Sequence, residues 1–484
     1  MPLLAKTLIR AALYALGAIC AVAAAGWLYL YWSGATIGLS GSGRGLVLEH
    51  VDSESRMEGL EADRRLDTAS PAGAGGDASQ AAAPVMARPA AASPPDTSAT
   101  ANYWTEYRGP GRAGIYDQSP IRTDWPSDGP RELWREQIGG GYASMVVADG
   151  LLFTIEQRRD REVVAAYRIE DGRQAWEHSW KSRFSESMGG DGPRATPTWS
   201  DGKIYAQGAN GDLLCLAAGN GDVLWQRNIL RDANASNLTW GMAAAPLVVD
   251  EMVIALPGGR GGKSIFAYDK LTGDVLWSNL DDKAGYVSPQ VATLAGRRQL
   301  LIVSGTRVLG ASLDDGAELW SHPWKTSYDA NCAQPLVVDA NHVFVSSGYG
   351  HGAALLQISQ TESGLSAEEV WFNLNMKNKF NPSVLVDGVV YGLDEGILAA
   401  VDVRTGERLW KSGRYRYGQL LYASGHLVIV SEDGELALVE ATPAEYRELV
   451  RFDSVQGKTW NVPAMAGGLL FVRNQTELVA YDLR

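Results

Sequence analysis

Ala267-Tyr268-Asp269-Lys270-Leu271-Thr272-Gly273-Asp274-Val275-Leu276-Trp277 is the end of an apolar strand, a tight turn, and a second strand closed by an indole. The chain repeats it. Ala400-Val401-Asp402-Val403-Arg404-Thr405-Gly406-Glu407-Arg408-Leu409-Trp410 is a second full copy, and looser copies close at Trp176, Trp225 and Trp320. Glu132-Leu133-Trp134 is a truncated start. The closing positions are Trp134, Trp176, Trp225, Trp277, Trp320, Trp371 and Trp410, with Leu449 in eighth place, spaced 39 to 52 residues apart. That interval holds four short strands and their turns, the size of one propeller blade.

Working outward, strand pairs between the Trp positions meet at Asp149-Gly150, Asp201-Gly202, Asp387-Gly388 and Ser424-Gly425. Such dipeptides between apolar runs signal two-residue hairpins, because both turn residues take positive φ. A four-stranded sheet cannot bury both faces alone, and radial stacking of such sheets does. The indole is large enough to fill the wedge between neighbours and carries an N–H for a backbone acceptor. Glu477-Leu478-Val479-Ala480-Tyr481-Asp482-Leu483 has the strand and the Asp but no following Trp. Joined to 132–134 it makes a complete copy. The expectation is an all-β, eight-bladed propeller over 102–484, with four-stranded antiparallel blades and an N-terminal strand completing the last one.

Upstream the composition changes. Residues 11–32 are 22 residues without a charge, roughly 33 Å of helix, enough to span a bilayer. Lys6 and Arg10 precede them, and Trp27, Tyr29, Tyr31 and Trp32 gather at the far end. This predicts a cytoplasmic N-terminus (1–10), an uncleaved anchor (11–32) in the inner membrane, and a propeller in the periplasm. A cleaved signal peptide is the competing reading, set against by the length of the apolar run. Residues 33–101 read as a flexible tether rich in Ala, Pro and Ser, with a charged stretch at 49–67 that suits a short helix.

A net charge of −13 argues against nucleic acid as partner. Cys20, Cys215 and Cys332 are too scattered for a disulfide framework. The six histidines show no metal-ligand spacing, and no nucleophile elbow or zinc motif is present. Gly258-Gly259-Arg260-Gly261-Gly262-Lys263-Ser264 lacks the first glycine and the helix that a phosphate loop needs. Glu156 to Arg161 is a charge-rich loop, read as a solvated hairpin or a rim contact.

The repeats resemble the pyrroloquinoline-quinone (PQQ) repeat, whose pattern A-x-D-x-x-T-G-x-x-x-W is met by Ala267, Asp269, Thr272, Gly273 and Trp277. The resemblance covers roughly 104–484. Trp104-Thr105-Glu106-Tyr107-Arg108-Gly109-Pro110 and Gly190-Asp191-Gly192-Pro193-Arg194-Ala195-Thr196-Pro197 look like uncharacterised envelope members of that family. The family also holds quinoprotein alcohol dehydrogenases and the propeller lipoprotein of the outer-membrane β-barrel assembly machinery. In this fold functional groups gather where the inner strands enter a central funnel. The lead-ins place Tyr142, Arg194, Trp240, Tyr286, Asn331, Asn381, Gln419 and Asn461 in one ring, a candidate pocket for a small molecule or for a protein partner in the envelope. The alternative is that these groups satisfy turn backbone.

For the dehydrogenases the resemblance implies PQQ on an indole floor beneath a disulfide of adjacent cysteines, with a calcium ion and a general-base Asp. This chain has no adjacent Cys pair. Trp240 is a candidate floor, Asn331 or Asn381 a candidate amide ligand, and Asp191 is the one acid nearby. The sequence reading therefore favours a membrane-anchored binding or scaffolding propeller. A PQQ-dependent alcohol or sugar dehydrogenase and a sugar or small-molecule sensor are the alternatives.

Overall fold

The computed structural model describes residue 16, residues 19–26, the backbone of 36–39 and 46–49, residues 54–69, and residues 103–484. The candidate span at 11–32 and the tether at 33–101 thus lie mostly outside the described residues. No described helix is long and apolar enough to cross a membrane.

From Arg131 on, the chain forms eight four-stranded antiparallel sheets, each made of consecutive strands except the last. Blade 1 is Val146–Ala148, Leu151–Arg158, Arg161–Arg168 and Gln174–Lys181, and blade 2 starts at Thr198–Ser200. Blades 3 to 7 start at Leu247–Val249, Gln290–Leu294, Leu336–Asp339, Val384–Val386 and Gln419–Ala423. Blade 8 is Ala464–Ala466, Leu469–Arg473 and Glu477–Asp482, completed by Arg131–Gln137 with Ala480 opposite Trp134. The expected closure is therefore present. Blade 7 gains a fifth strand, Ile115–Tyr116, parallel to its inner strand. Asp149, Asp201, Asp387 and Ser424 all have φ between 47° and 52°, followed by glycines at 70° to 80°, as the hairpin signals require.

The recurring turn explains the recurring indole. Asp269 Oδ1 accepts from the amides of Leu271 and Thr272, and Gly273 N donates to Asp269 O at 2.8 Å. This folds the turn flat and brings Gly273 under the Trp225 ring of the preceding blade, whose Nε1 donates to Lys270 O at 3.0 Å. Trp134, Trp176 and Trp371 do the same to Ile169, Ala218 and Val403 carbonyls at 2.9 to 3.1 Å, over Gly172, Gly221 and Gly406. Trp277 packs on Gly316 without a protein acceptor for its Nε1, and Trp410 donates to Thr442 O at 2.9 Å. Trp320 departs from the rule. The next blade replaces the tight turn with a long hairpin, Gly352–Thr361 and Gly364–Asn373, and Trp320 donates instead to Gln299 Oε1 in its own blade at 2.6 Å.

Both faces of each blade are buried, in alternation along the strand. Val163, Ala165 and Tyr167 pack toward blade 8, and Val164 and Ala166 toward blade 2. Leu214 and Leu216 face blade 1, and Leu213 and Cys215 face blade 3. Cys215 is thus a small apolar filler, and Cys215 and Cys332 are free thiols.

The helix Glu54–Ala69 lies across the closing seam of blades 8 and 1. Met57 and Leu60 are each 1% exposed. Arg56 donates to the carbonyls of Ile138 and Thr476, and Arg64 to Gln137 O while its guanidinium sits 5.0 Å over the Tyr167 ring. Arg159 pairs with Glu54 and Glu61 at 2.6 and 2.8 Å. The charged stretch at 156–161 is therefore a hairpin solvated only at its tip, Asp160 and Arg161. Glu156 and Arg158 are paired inside the blade, and Arg159 holds the chain's own helix.

Candidate functional site: the central funnel

The segments leading from the outer strand of one blade to the inner strand of the next meet at one end of the disc. They surround a cavity of about 290 Å³. Its walls are aromatic: Tyr142, Trp240, Tyr286, Tyr349, Phe380 and Trp460. Trp460 lies 4.6 Å from Phe380 and 5.0 Å from Tyr142 between ring centroids, and Trp240 lies 5.7 Å from Tyr286, so the rings support one another.

The floor comes from outside the blades. Trp104 exchanges backbone hydrogen bonds with Val147 of blade 1, and Trp199 N of blade 2 donates to Thr105 O. Arg112 donates to the carbonyls of Ala245 and Pro246 before blade 3, and Arg108 to Pro382 and Ser383 before blade 6. Tyr422 N of blade 7 donates to Gly114 O at 2.9 Å. Residues 104–116 therefore span the channel from wall to wall, and Tyr107 closes the cavity from below. A Cβ at Gly109 (φ 74°) would lie 2.4 Å from the Trp104 ring, so the bend leaves no room for a side chain. Burial lowers Arg108 to about 10, and its hydrogen-bonded carbonyls hold it in place. The motif at 104–110 that resembles envelope relatives is thus a plug, and the funnel is blind.

Of the eight ring residues, Tyr142, Arg194, Trp240 and Tyr286 line the cavity. The four amides do not. Asn331 Nδ2 donates to Ser304 O and Trp324 O at 2.8 and 3.0 Å. Asn461 Nδ2 donates to Gly141 O and Ala143 O, and Gln419 Nε2 to Phe380 O. Asn381 Oδ1 accepts from Lys379 N at 2.9 Å. All four are buried; Gln419 and Asn461 stitch neighbouring lead-ins together, Asn331 ties its own to blade 4, and Asn381 bonds within its own, its Nδ2 without a protein partner. In blades 5, 6 and 8 the cavity is lined by the residue just before or after the amide: Cys332, Phe380 and Trp460. Extended backbone sends neighbours to opposite sides, so reading one position off exchanges wall for scaffold. Tyr107 and Tyr349 carry no repeat signal that could have placed them there.

The charges are asymmetric. The Arg194 guanidinium lies 4.6 Å over Phe184 and 5.5 Å over Tyr142, and donates to the carbonyls of Gly190 and Gly192. Lys379 Nζ lies 4.0 Å over Tyr417 and donates to its hydroxyl at 2.8 Å. Lys458 sits 4.8 Å over Trp460. Glu186 is held by the amides of Met188 and Gly189, and Asp191 by Ser185, Glu186 N and Arg183. Glu432 sits behind Trp460 and accepts its Nε1–H at 3.0 Å. Burial raises Tyr286 to about 12 and shifts Tyr107 and Tyr349 upward, so these phenols stay neutral and do not offset the cations.

A family model described as outer membrane protein assembly factor BamB matches residues 123–242, 237–412 and 394–484. The chain belongs to this family. No curated protein sequence matches it. Among solved structures, BamB from Moraxella catarrhalis superposes with a TM-score of 0.53 at 15% identity, over 73% of this chain and 98% of that one. Quinohemoprotein alcohol dehydrogenase from Comamonas testosteroni gives 0.56 at 13% identity, over 78% and 80%. At these identities the likeness is one of fold, and a fold does not carry a function with it.

The cavity does not fit the quinoprotein arrangement. Its lining contains no carboxylate and a single thiol, Cys332, which burial pushes up to about 12. Asn331 Oδ1 accepts from Ser347 Oγ and Asn381 Oδ1 from Lys379 N, and Asp191 staples a loop. Among the described residues no cluster of three His, Cys, Asp or Glu side chains stands ready to hold a metal. Calcium takes six to eight oxygen ligands, which this lining does not offer.

Proposed function

We propose that this BamB-family propeller is a recognition or scaffolding protein of the cell envelope that takes its partner or ligand in the funnel. In this reading 11–32 anchors it in the inner membrane, with the propeller in the periplasm. The observation that carries the proposal is the blind, aromatic-walled funnel, plugged by 104–116 and lined without a paired acid and base. Such a surface offers stacking area and a few fixed polar groups, which is what binding needs. The family model's description, an outer membrane protein assembly factor, supplies the analogy.

The test is photocrosslinking in living cells, with benzoylphenylalanine at Trp240 or Met188 in the funnel and at Glu407 on the far turn. Adducts from the funnel positions alone are expected. No adduct from the funnel, or equal yields from Glu407, overturns the proposal. Protease access to the propeller in spheroplasts but not in intact cells checks its compartment.

A further inference from the structure

We infer that the funnel selects an organic anion, a carboxylate carried on a flat apolar body. This rests on the reading of the funnel as the recognition site and names its ligand class.

Three observations lead there. First, the chain is acidic, at −13, yet the cavity lining contains Arg194 and Lys379 and no Asp or Glu. Many other arginines are spent on acids, Arg158 on Glu156 and Glu177, Arg307 on Asp282 and Glu318, Arg451 on Glu435 and Glu448, whereas Arg108 and Arg473 are bonded to carbonyls inside the fold. Among the described residues neither Arg194 nor Lys379 forms such a pair. Second, both heads retain donors. A guanidinium has five N–H groups and an ammonium three. Arg194 commits donors to two loop carbonyls, and Lys379 commits one to the Tyr417 hydroxyl. Their positions are fixed by rings beneath them, so little side-chain entropy remains to be lost on binding. Third, the space between them is walled by ring faces, which take a planar apolar body and exclude water from the ion pair.

A structural role alone does not account for the pattern. A cation placed only to stack on a tyrosine needs no cavity beside it whose lining lacks an acid; Glu186 and Asp191 lie near Arg194 but do not line that cavity. Arg194 shows a desolvation cost, since burial draws its pKa down. A ligand carboxylate beside the guanidinium offsets it.

The experiment is calorimetric titration of the full chain in detergent with 3-phenylpropionate and with its neutral amide. A hexapeptide ending in tyrosine, with a free or an amidated C-terminus, forms the second arm. The acid form is expected to bind at least about tenfold more tightly than the amide, because charge-assisted hydrogen bonds are roughly twice as strong as neutral ones. R194Q and K379Q should each abolish most of that preference. R194K should restore part of it, and K263Q on an exposed loop should not alter it. Preference for the small acid alone points to a free metabolite, and preference for the free peptide end alone to a polypeptide terminus. Either supports the inference. Equal binding of acid and amide, no binding of any acid, or an undiminished preference in K379Q overturns it. In that event funnel photoadducts at Trp240 would still leave the recognition reading standing, so the two fail separately.

Discussion

Gly273→Ala tests the physics of the repeat. Gly273 has φ 73°, and Gly150, in a simple hairpin, has φ 75°. Alanine at either site adopts left-handed backbone at a cost of about 1–2 kcal/mol. At Gly150 the new Cβ meets nothing within 4 Å. At Gly273 it meets Trp225 at 2.7 and 2.8 Å. The indole cannot retreat, because Nε1 is bonded to Lys270 O and the ring is 7% exposed. Overpacking of this kind adds about 1–3 kcal/mol. Gly273→Ala should therefore destabilise by about 2–5 kcal/mol in total. Urea unfolding followed by tryptophan fluorescence, with slopes compared before midpoints, measures the difference. Replacing Trp225 by Leu should relieve the excess at Gly273 and leave the Gly150 variant unaffected, a coupling that a double-mutant cycle reads directly. Equal losses at Gly150 and Gly273, or no coupling to Trp225, would refute the idea that the indole seats itself on the next blade's turn.

Two further outcomes follow from buried groups. Glu162 is raised from 4.5 to about 7, first by burial, with the Ala209 amide holding one oxygen. The native state therefore binds the extra proton, so this group's contribution to stability is full below about pH 4.5 and is lost as pH rises to about 7. Glu162→Gln should be more stable than wild type by up to about 3 kcal/mol at pH 8 and by much less at pH 5, and a difference independent of pH would contradict this. Leu60→Ala removes a buried contact of the seam helix, worth about 2 kcal/mol or more. Hydrogen exchange across 54–69 should quicken by about thirtyfold with propeller amides unchanged, whereas unaltered exchange would show that the helix is not held by this contact.

The fold was legible because its signals are local. Asp269, Thr272 and Gly273 make their turn among themselves, and Asp149-Gly150 needs no distant partner. The closing strand was legible because two half-copies, at 131–137 and 477–482, ask to be joined. The site was half legible. Tyr142, Arg194, Trp240 and Tyr286 were placed correctly on the cavity, but Asn331, Asn381 and Asn461 stand one residue from the wall positions, and no local pattern fixes that parity in an irregular lead-in. The plug was not legible as a plug. Arg108 acts on carbonyls 274 and 275 residues away, and nothing at 104–110 names those partners. The seam helix is similar. Its charges suggested a helix, but Ile138 and Arg159, which hold it, lie 82 and 98 residues from the helix residues they bond.

The central claim is that an acidic propeller holds a positive, accessible funnel, and Cys332 reports on it from within. With Cys20 replaced by alanine and Cys215 buried, Cys332 can be titrated with a sulfonate-bearing and a trimethylammonium-bearing methanethiosulfonate of equal size. Their rates are scaled to those with a free thiol. The account predicts that the anionic reagent reacts faster and that K379Q narrows the gap. Faster reaction with the cationic reagent, as the net charge alone would dictate, would contradict it.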